Sequence, residues 1–423
     1  MRLAFVAVGV PGHANPTGAL ARRLKARGHD VILIATPDAE PLLRSSEVPF
    51  VPYCEKDYPT GSIARIQQQL SKLQGEEALA FTYRLVAESL ESAFGDLARV
   101  LRKTRSDAVV IDIIQMQLGL VPRHLGLPYA HISNSLPMDF SGKTPVGIFD
   151  WPHETAPAAL ARNQEGVLRC LQFHKPRTLA ALAYAKRVGL DVDPNDRWLG
   201  LSQLAWLTQM PKEFDFQASQ WPSQFHYTGP FHDGVGRSAI NFPWDRLTGE
   251  PLIYASMGTL QNGVENVFNT IAEAVGTRPG FQLVLSVGPV IDPGALKSLP
   301  DNTIVVNRAP QLDLLKRSAL CITHAGLNTT LESLTQGVPM VAIPVTNDQP
   351  GVAARIAYTK TGRFLPLHQL AVPGLSSLID EVLNNPEYRR NAHNLAHAIA
   401  ATDGMEHACG VLEQALGLPA PVR

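Results

Sequence analysis

R-A-P-Q-L-D-L-L-K-R-S-A-L-C-I-T-H-A-G-L-N-T-T-L-E-S-L-T-Q-G-V-P-M-V-A-I-P-V-T-N-D-Q-P-G, residues 308–351, is the stretch that decides the fold. Residues 319–323 are a short apolar run closing on a polar threonine, the pattern of a strand buried on both faces. His324, Ala325 and Gly326 read as a tight turn. From 327 to 336 apolar residues recur at Leu327, Leu331 and Leu334, a helical spacing. Gly337-Val338-Pro339 stops that helix. Residues 340–343 are a second buried run, ended by Pro344. Strand, turn, helix, strand is one parallel unit of a doubly wound sheet.

The turn carries the chemistry. A helix that starts there aims free backbone N–H groups and a positive dipole end at whatever lies above it. Phosphate is the natural guest. Gly326 lets a ligand approach the backbone, and Asn328 and Thr329 add donors in the first turn. His324 stands at the carboxyl end of the strand, where ligands of open α/β sheets bind. Glu332 suits the hydroxyls of a ribose. Asp348 and Gln349 follow the next strand on the same rim and suit a polyhydroxylated group. Phosphate, ribose and sugar together describe a nucleotide sugar.

The segment T-H-A-G-x-N-T-T-L-E-S, with G-V-P-M and D-Q after it, resembles the nucleotide-sugar signature of family 1 glycosyltransferases. The resemblance implies that His324, Asn328 and Thr329 contact the diphosphate and Glu332 the ribose. It implies that Asp348 and Gln349 hold the glucosyl hydroxyls and that Ala309 and Gln311 lie by the uracil. Three positions depart from the pattern. Arg308 stands where an aromatic often stacks on the base; a guanidinium plane can also stack, and it leaves UDP and TDP donors both open. Arg317 replaces a second His, and Leu327 replaces a Trp.

The bounds agree with a two-domain globular protein. The chain has 423 residues, enough for two domains of about 200. It is 45% hydrophobic and 18% charged, with core material to spare. A formal net charge of −1 gives no basic field for nucleic acid and no polybasic membrane patch. Cys54, Cys170, Cys321 and Cys409 are scattered, without metal or disulfide spacing, so the expected location is a reducing cytoplasm. No apolar run reaches the roughly 18 to 20 residues of a membrane span. The apolar run 3–8 leads straight into G-V-P-G-H, so it reads as a first strand rather than a leader. A monomer is expected.

In chain order, strands are predicted at 3–8, 31–35, 107–114, 129–134 and 205–209, then at 251–256, 282–287 and 303–307. Helices are predicted at 17–27, with Pro16 in its first position, at 62–104 with a break near Gly75, at 118–125, and at 167–188 with a possible break at Pro176. Further helices are predicted at 264–275, 375–384, 389–400 and 407–416. No G-x-G-x-x-G follows the first strand, so nothing argues for a dinucleotide. Residues 220–243 turn to Pro and Gly, with Trp, Asp and Ser among them, and read as the interdomain connection. The expected division is 1–232 for the acceptor, 233–245 as linker, 246–400 for the nucleotide sugar, and 401–423 as a C-terminal helix crossing back.

Attack of a hydroxyl on an anomeric carbon needs a proton acceptor, and His is the usual one because its pKa lies near working pH. His13 follows the first strand and Asp112 lies near the end of another, so the two could meet at one sheet edge. A carboxylate on the far imidazole nitrogen fixes the tautomer and stabilises the imidazolium. G-H-x-N-P after the first strand also resembles the family, where this His is the base and the acid its partner. The small residues Ser256, Gly258 and Thr259 lie in a loop that, in the family, faces the diphosphate. No cluster has metal spacing, so no metal or other cofactor is expected. The helix terminus takes the role of stabilising the leaving group.

Phe81, Tyr83, Met138, Phe140, Phe149 and Phe173, with Leu85, Met116, Leu118 and Trp151, make the first half apolar enough for a large acceptor. P-L-I-Y-A-S-M-G-T-L-Q-N-G at 251–263, P-D-A-E at 37–40 and H-Y-T-G-P-F at 226–231 resemble the zeaxanthin glucosyltransferase branch and its bacterial macrolide and flavonoid relatives. The resemblance is weak at 55–105 and 140–200, where acceptor choice would be made. The expectation is therefore an α/β protein of two Rossmann-like domains facing each other across a cleft, the GT-B glycosyltransferase fold. Its reaction would be inverting transfer of glucose from UDP-glucose to a hydroxyl of an apolar small molecule. The rivals are a UDP-sugar epimerase and a non-catalytic carrier of apolar ligands on the same fold.

Overall fold

The computed structural model describes residues 1–70, 72–73, 75–232, 234, 240–258, 265–297 and 299–418. Two parallel sheets carry the molecule. The first has seven strands: β1 (Arg2–Val6), β2 (Asp30–Ala35), β3 (Phe50–Pro52), β4 (Ala108–Asp112), β5 (Tyr129–Ser133), β6 (Trp206–Thr208) and β7 (Phe225–Tyr227). Their spatial order is β3-β2-β1-β4-β5-β6-β7. The second has six: β8 (Leu252–Ser256), β9 (Gln282–Ser286), β10 (Thr303–Val306), β11 (Ser318–Thr323), β12 (Met340–Ala342) and β13 (Gly362–Phe364), ordered β10-β9-β8-β11-β12-β13. The central strands are built on apolar runs because helices cover both faces. Every residue of β4 and of β8 is buried.

The strand–helix–strand unit read from 308–351 is present as β11, the helix Leu327–Thr335 and β12. Three features differ from expectation. The first helix runs Pro11–Ala26, so Pro11 takes the first position and Pro16 lies inside it. The helix Pro157–Val188 begins earlier than 167 and passes through Pro176 unbroken. It packs along the helix Gly75–Thr104, and burial along its length outweighs the local penalty of one proline. Residues 220–243 do not serve wholly as connection, because β7 extends the first sheet there. The short strands β3 and β13, at opposite sheet edges, and the helix Gln349–Tyr358 carry too little periodicity to be read in advance.

The last helix, Gly404–Ala415, lies on the helix Pro11–Ala26. Met405, Ala408, Cys409 and Leu412 join the core of Leu20 and Leu24. Arg27 donates from Nε and Nη2 to the two carboxylate oxygens of Glu413 at 2.8 and 2.6 Å, and Glu413 also meets His29 Nε2 at 2.9 Å. The chain thus passes between the sheets twice. The two passages touch, for a Cβ placed on Gly404 would sit 2.6 Å from the Thr228 carbonyl oxygen.

A buried ion pair also joins the two halves. Arg355, on Gln349–Tyr358, donates from Nε to Asp215 Oδ1 at 2.9 Å, and its Nη2 lies 2.8 Å from the same oxygen, both side chains 1% exposed. Asp215 accepts further bonds from the Tyr227 hydroxyl at 2.6 Å and Trp221 Nε1 at 3.1 Å. No helix among the described residues is long and apolar enough to cross a membrane.

Candidate active site

β1 and β4 are neighbours in register, Val6 opposite Ile111, so the residues after one strand lie beside the end of the other. His13 stands in the first turn of the Pro11–Ala26 helix, and Asp112 is the last residue of β4. His13 Nδ1 lies 2.8 Å from Asp112 Oδ2. Asp112 also accepts from the Ile114 backbone N–H at 3.0 Å and from Asn134 Nδ2 at 2.7 Å. With the carboxylate accepting throughout, Nδ1 of His13 carries a proton and Nε2 is left as the acceptor. Burial works against the imidazolium, but the Asp112 carboxylate, its hydrogen bond and the charge of Asp348 outweigh it and raise the His13 pKa. Burial likewise opposes the charge on Asp112, and His13, Ile114 and Asn134 overcome that to hold its pKa low.

Across the cleft, β11 ends at Thr323 and the backbone turns through Ala325, whose φ is +63°. Gly326 has an ordinary φ of −64° and no side chain caps the helix it starts. The need for glycine is steric: a Cβ on Gly326 would lie 2.4 Å from His324 Nε2, and one on Gly258 2.6 Å from it. The imidazole fills the space that both side chains lack, and burial pushes its pKa down to about 4, leaving it neutral.

Gln311 links several expected donor-site residues. Its Nε2 donates to Glu332 Oε2 at 2.7 Å and to Thr329 Oγ1 at 3.2 Å, while its Oε1 accepts from the Tyr254 hydroxyl at 3.0 Å. Ala309 and Ser256 are buried beside this network and Arg308 is exposed. Arg317 lies over the ring of Trp244, its guanidinium carbon 5.4 Å from the centroid. Thr259 lies outside the described residues. Asp348 accepts the Leu136 backbone N–H at 2.8 Å, and Gln349 Oε1 accepts from Val345 and Thr346 at 2.8 and 3.1 Å. Burial raises the Asp348 pKa, with Leu136 and His13 pulling the other way. Asn328 turns its side chain to the first domain: Nδ2 donates to the Gly12 carbonyl, and Oδ1 accepts from Gln209 Nε2 at 2.6 Å.

The structure thus brings His13, Asp112, Asp348 and Asn328 to one locus between the sheets. Gln311, Thr329 and Glu332 form a second group along the helix at Gly326. Of the apolar acceptor candidates, Tyr83, Met138, Phe140, Phe149 and Phe173 gather in one cluster with Leu79 and Val146. Met116 and Leu118 are instead buried in separate cores. Sequence reading missed Asn134 and Gln209. Each follows an apolar strand at the carboxyl edge, the same signal that singled out Asp112, but amides do not titrate and drew no attention. Among the described residues no three His, Cys, Asp or Glu side chains gather to hold a metal ion.

A family profile described as "UDP-glucoronosyl and UDP-glucosyl transferase" matches residues 247–401. The zeaxanthin glucosyltransferase of Pseudescherichia vulneris is 30% identical over 366 residues, covering 85% of each chain. The enzyme of the same name from Pantoea ananas is 29% identical over 434 residues, covering 99% of this chain and 97% of its own. Among solved structures, the glycotransferase of kitacinnamycin superposes with a TM-score of 0.76 over 99% of both chains at 23% identity, a likeness of fold.

Proposed function

Because the chain belongs to the family of UDP-glucuronosyl and UDP-glucosyl transferases, we propose that it moves glucose from UDP-glucose to a hydroxyl of an apolar small molecule, with inversion. The observation that carries this is the His13–Asp112 pair, 2.8 Å apart, facing the uncapped helix start at Gly326 across the cleft. His13 Nε2 takes the proton of the acceptor hydroxyl. The acceptor oxygen bonds to the anomeric carbon from the face opposite the diphosphate, and the bond from that carbon to the diphosphate oxygen breaks. UDP leaves with the electron pair, its charge met by the first backbone N–H groups of Leu327–Thr335.

The rest of the donor runs along the same helix. Glu332 holds the ribose, Ala309 and Gln311 the base, and Asp348 and Gln349 the glucosyl hydroxyls. Since Gln311 already bonds Glu332, donor binding exchanges that bond for one to the ribose. The helix dipole serves in place of a metal ion, so a chelator leaves the rate unchanged. The aromatic cluster around Phe140 supports an apolar acceptor, and the similarity to zeaxanthin glucosyltransferases makes carotenoids the first class to try, with flavonoids and macrolides after them.

The test is an endpoint assay with UDP-glucose and TDP-glucose against hydroxylated carotenoids, flavonoids, sterols and macrolides, read by mass spectrometry, with His13→Ala alongside. A hexose adduct on one class, lost in the variant, is expected. Retention of an apolar compound with no adduct and no nucleotide release would instead make the protein a carrier.

A further inference from the structure

Along the carboxyl edge of the first sheet, neighbouring strands end in a series of polar residues. Asp112 closes β4, Asn134 follows β5, and Gln209 follows β6. All three are buried, at 0%, 2% and 2% exposure. Asn134 Nδ2 donates to Asp112 Oδ2 at 2.7 Å and to Thr17 Oγ1 at 2.8 Å, and reaches the His13 carbonyl at 3.3 Å. Gln209 Nε2 donates both to the Asn134 carbonyl at 3.0 Å and to Asn328 Oδ1 at 2.6 Å. The other end of the Asn328 amide reaches the carbonyl of Gly12, beside His13.

That last bond has its origin in Pro16. In a helix the carbonyl of residue i accepts from the N–H of residue i+4. Pro16 lies four residues after Gly12 inside the Pro11–Ala26 helix and has no N–H to give. The Gly12 carbonyl is therefore left without its helical partner, and a side chain from the opposite domain supplies the donor. A proline that weakens the helix on its own makes an acceptor for the other half of the enzyme.

We infer that Pro16, Gln209 and Asn134 are positioning residues that tie the setting of the His13–Asp112 pair to closure of the donor domain on it. The inference rests on His13 acting as the base. Asn328, in the first turn of the donor helix, is held at both ends of its amide by the acceptor domain. One end bears on the backbone that carries His13, the other reaches the backbone of Asn134 through the Gln209 amide, and the Asn134 side chain holds Asp112. Opening the cleft breaks both contacts and leaves the pair without its brace.

Pro16→Ala is the discriminating variant. It restores the N–H that competes with Asn328 for the Gly12 carbonyl, and it removes a helix-weakening residue. We expect its Tm to rise while kcat/KM for the donor falls roughly five- to tenfold, the scale of one interdomain hydrogen bond. Were proline there only for shape, activity would not fall as stability rose. Unchanged or higher kcat/KM in Pro16→Ala overturns the inference. Gln209→Met, matched in length, is expected to lose kcat with Tm held within a few degrees. Asn134→Leu, or Asn134→Ser where the leucine variant folds poorly, is expected to move the acid limb of the kcat/KM profile upward, since Asp112 then keeps more charge for the imidazolium; an unmoved limb counts against the role of Asn134. If the wild type transfers no sugar, His13 is followed by NMR with and without UDP. A UDP-induced shift of its titration that Gln209→Met abolishes upholds the linkage; one that survives the variant, or no shift in the wild type, overturns it.

Discussion

At the scale of single residues, the site is set by what each side chain is denied. His13 is denied a free Nδ1, so its other nitrogen is the one left to accept a proton. Its pKa is raised above the ordinary 6.5 in the fold, and the sign then works in opposite directions for stability and rate. The pair's contribution to stability is fully present below pH 6.5 and is lost as pH rises through the raised folded value. With His13 as the proposed base, activity would need the neutral ring and grow over that same rise. A kcat/KM profile with its acid limb above pH 6.5, absent in His13→Ala, is the expected result, and a limb below 6.5 would remove His13 from the role of base. Gly326 is denied a side chain because His324 occupies its place. Gly326→Ala is expected to displace that ring and weaken UDP binding by about tenfold, or about 1.4 kcal/mol, by calorimetry, with far-UV circular dichroism unchanged.

At the scale of elements, the unit at 308–351 was legible because its strand, turn and helix are each marked by a different residue class: apolar run, histidine-glycine, then leucines at helical spacing. His13 and Asp112 were legible for a related reason, since titratable residues stand out at the ends of apolar strands. Pro16 was misplaced because proline is common at a helix start and the sequence shows no sign that a longer-range bond would repay it within. Asn134 and Gln209 were not legible because an amide at a strand end carries no charge to single it out, and the pair Asp215–Arg355 was not because no motif marks either partner across the 140 residues between them. The last helix shows such a partnership at its seam. Glu413 takes three hydrogen bonds from Arg27 and His29, and Glu413→Gln is expected to lower stability by about 2 kcal/mol, the scale of hydrogen bonds to a charged group. Urea unfolding with an unchanged m-value would check it.

At the scale of the whole molecule, the two sheets are joined by a charge pair that neither could bury alone. Removing one partner leaves the other ionised in the interior, so Arg355→Met is expected to cost about 3–5 kcal/mol by denaturant unfolding. Burial works against the Asp215 charge, and Arg355 with its neighbours overcomes it to hold the pKa below 3.8. The stability from this pair is therefore present above that pH and is lost as pH falls through the folded value. The place where the chain crosses twice has a mechanical meaning as well. A plate fixed by one pin can swivel and tilt in every direction; fixed by two adjacent pins, it swings like a door. With Thr228–Gly229 and Thr402–Gly404 side by side, any turning of the second half against the first would be confined to the line through them, and Asn328 would meet Gly12 along a single arc.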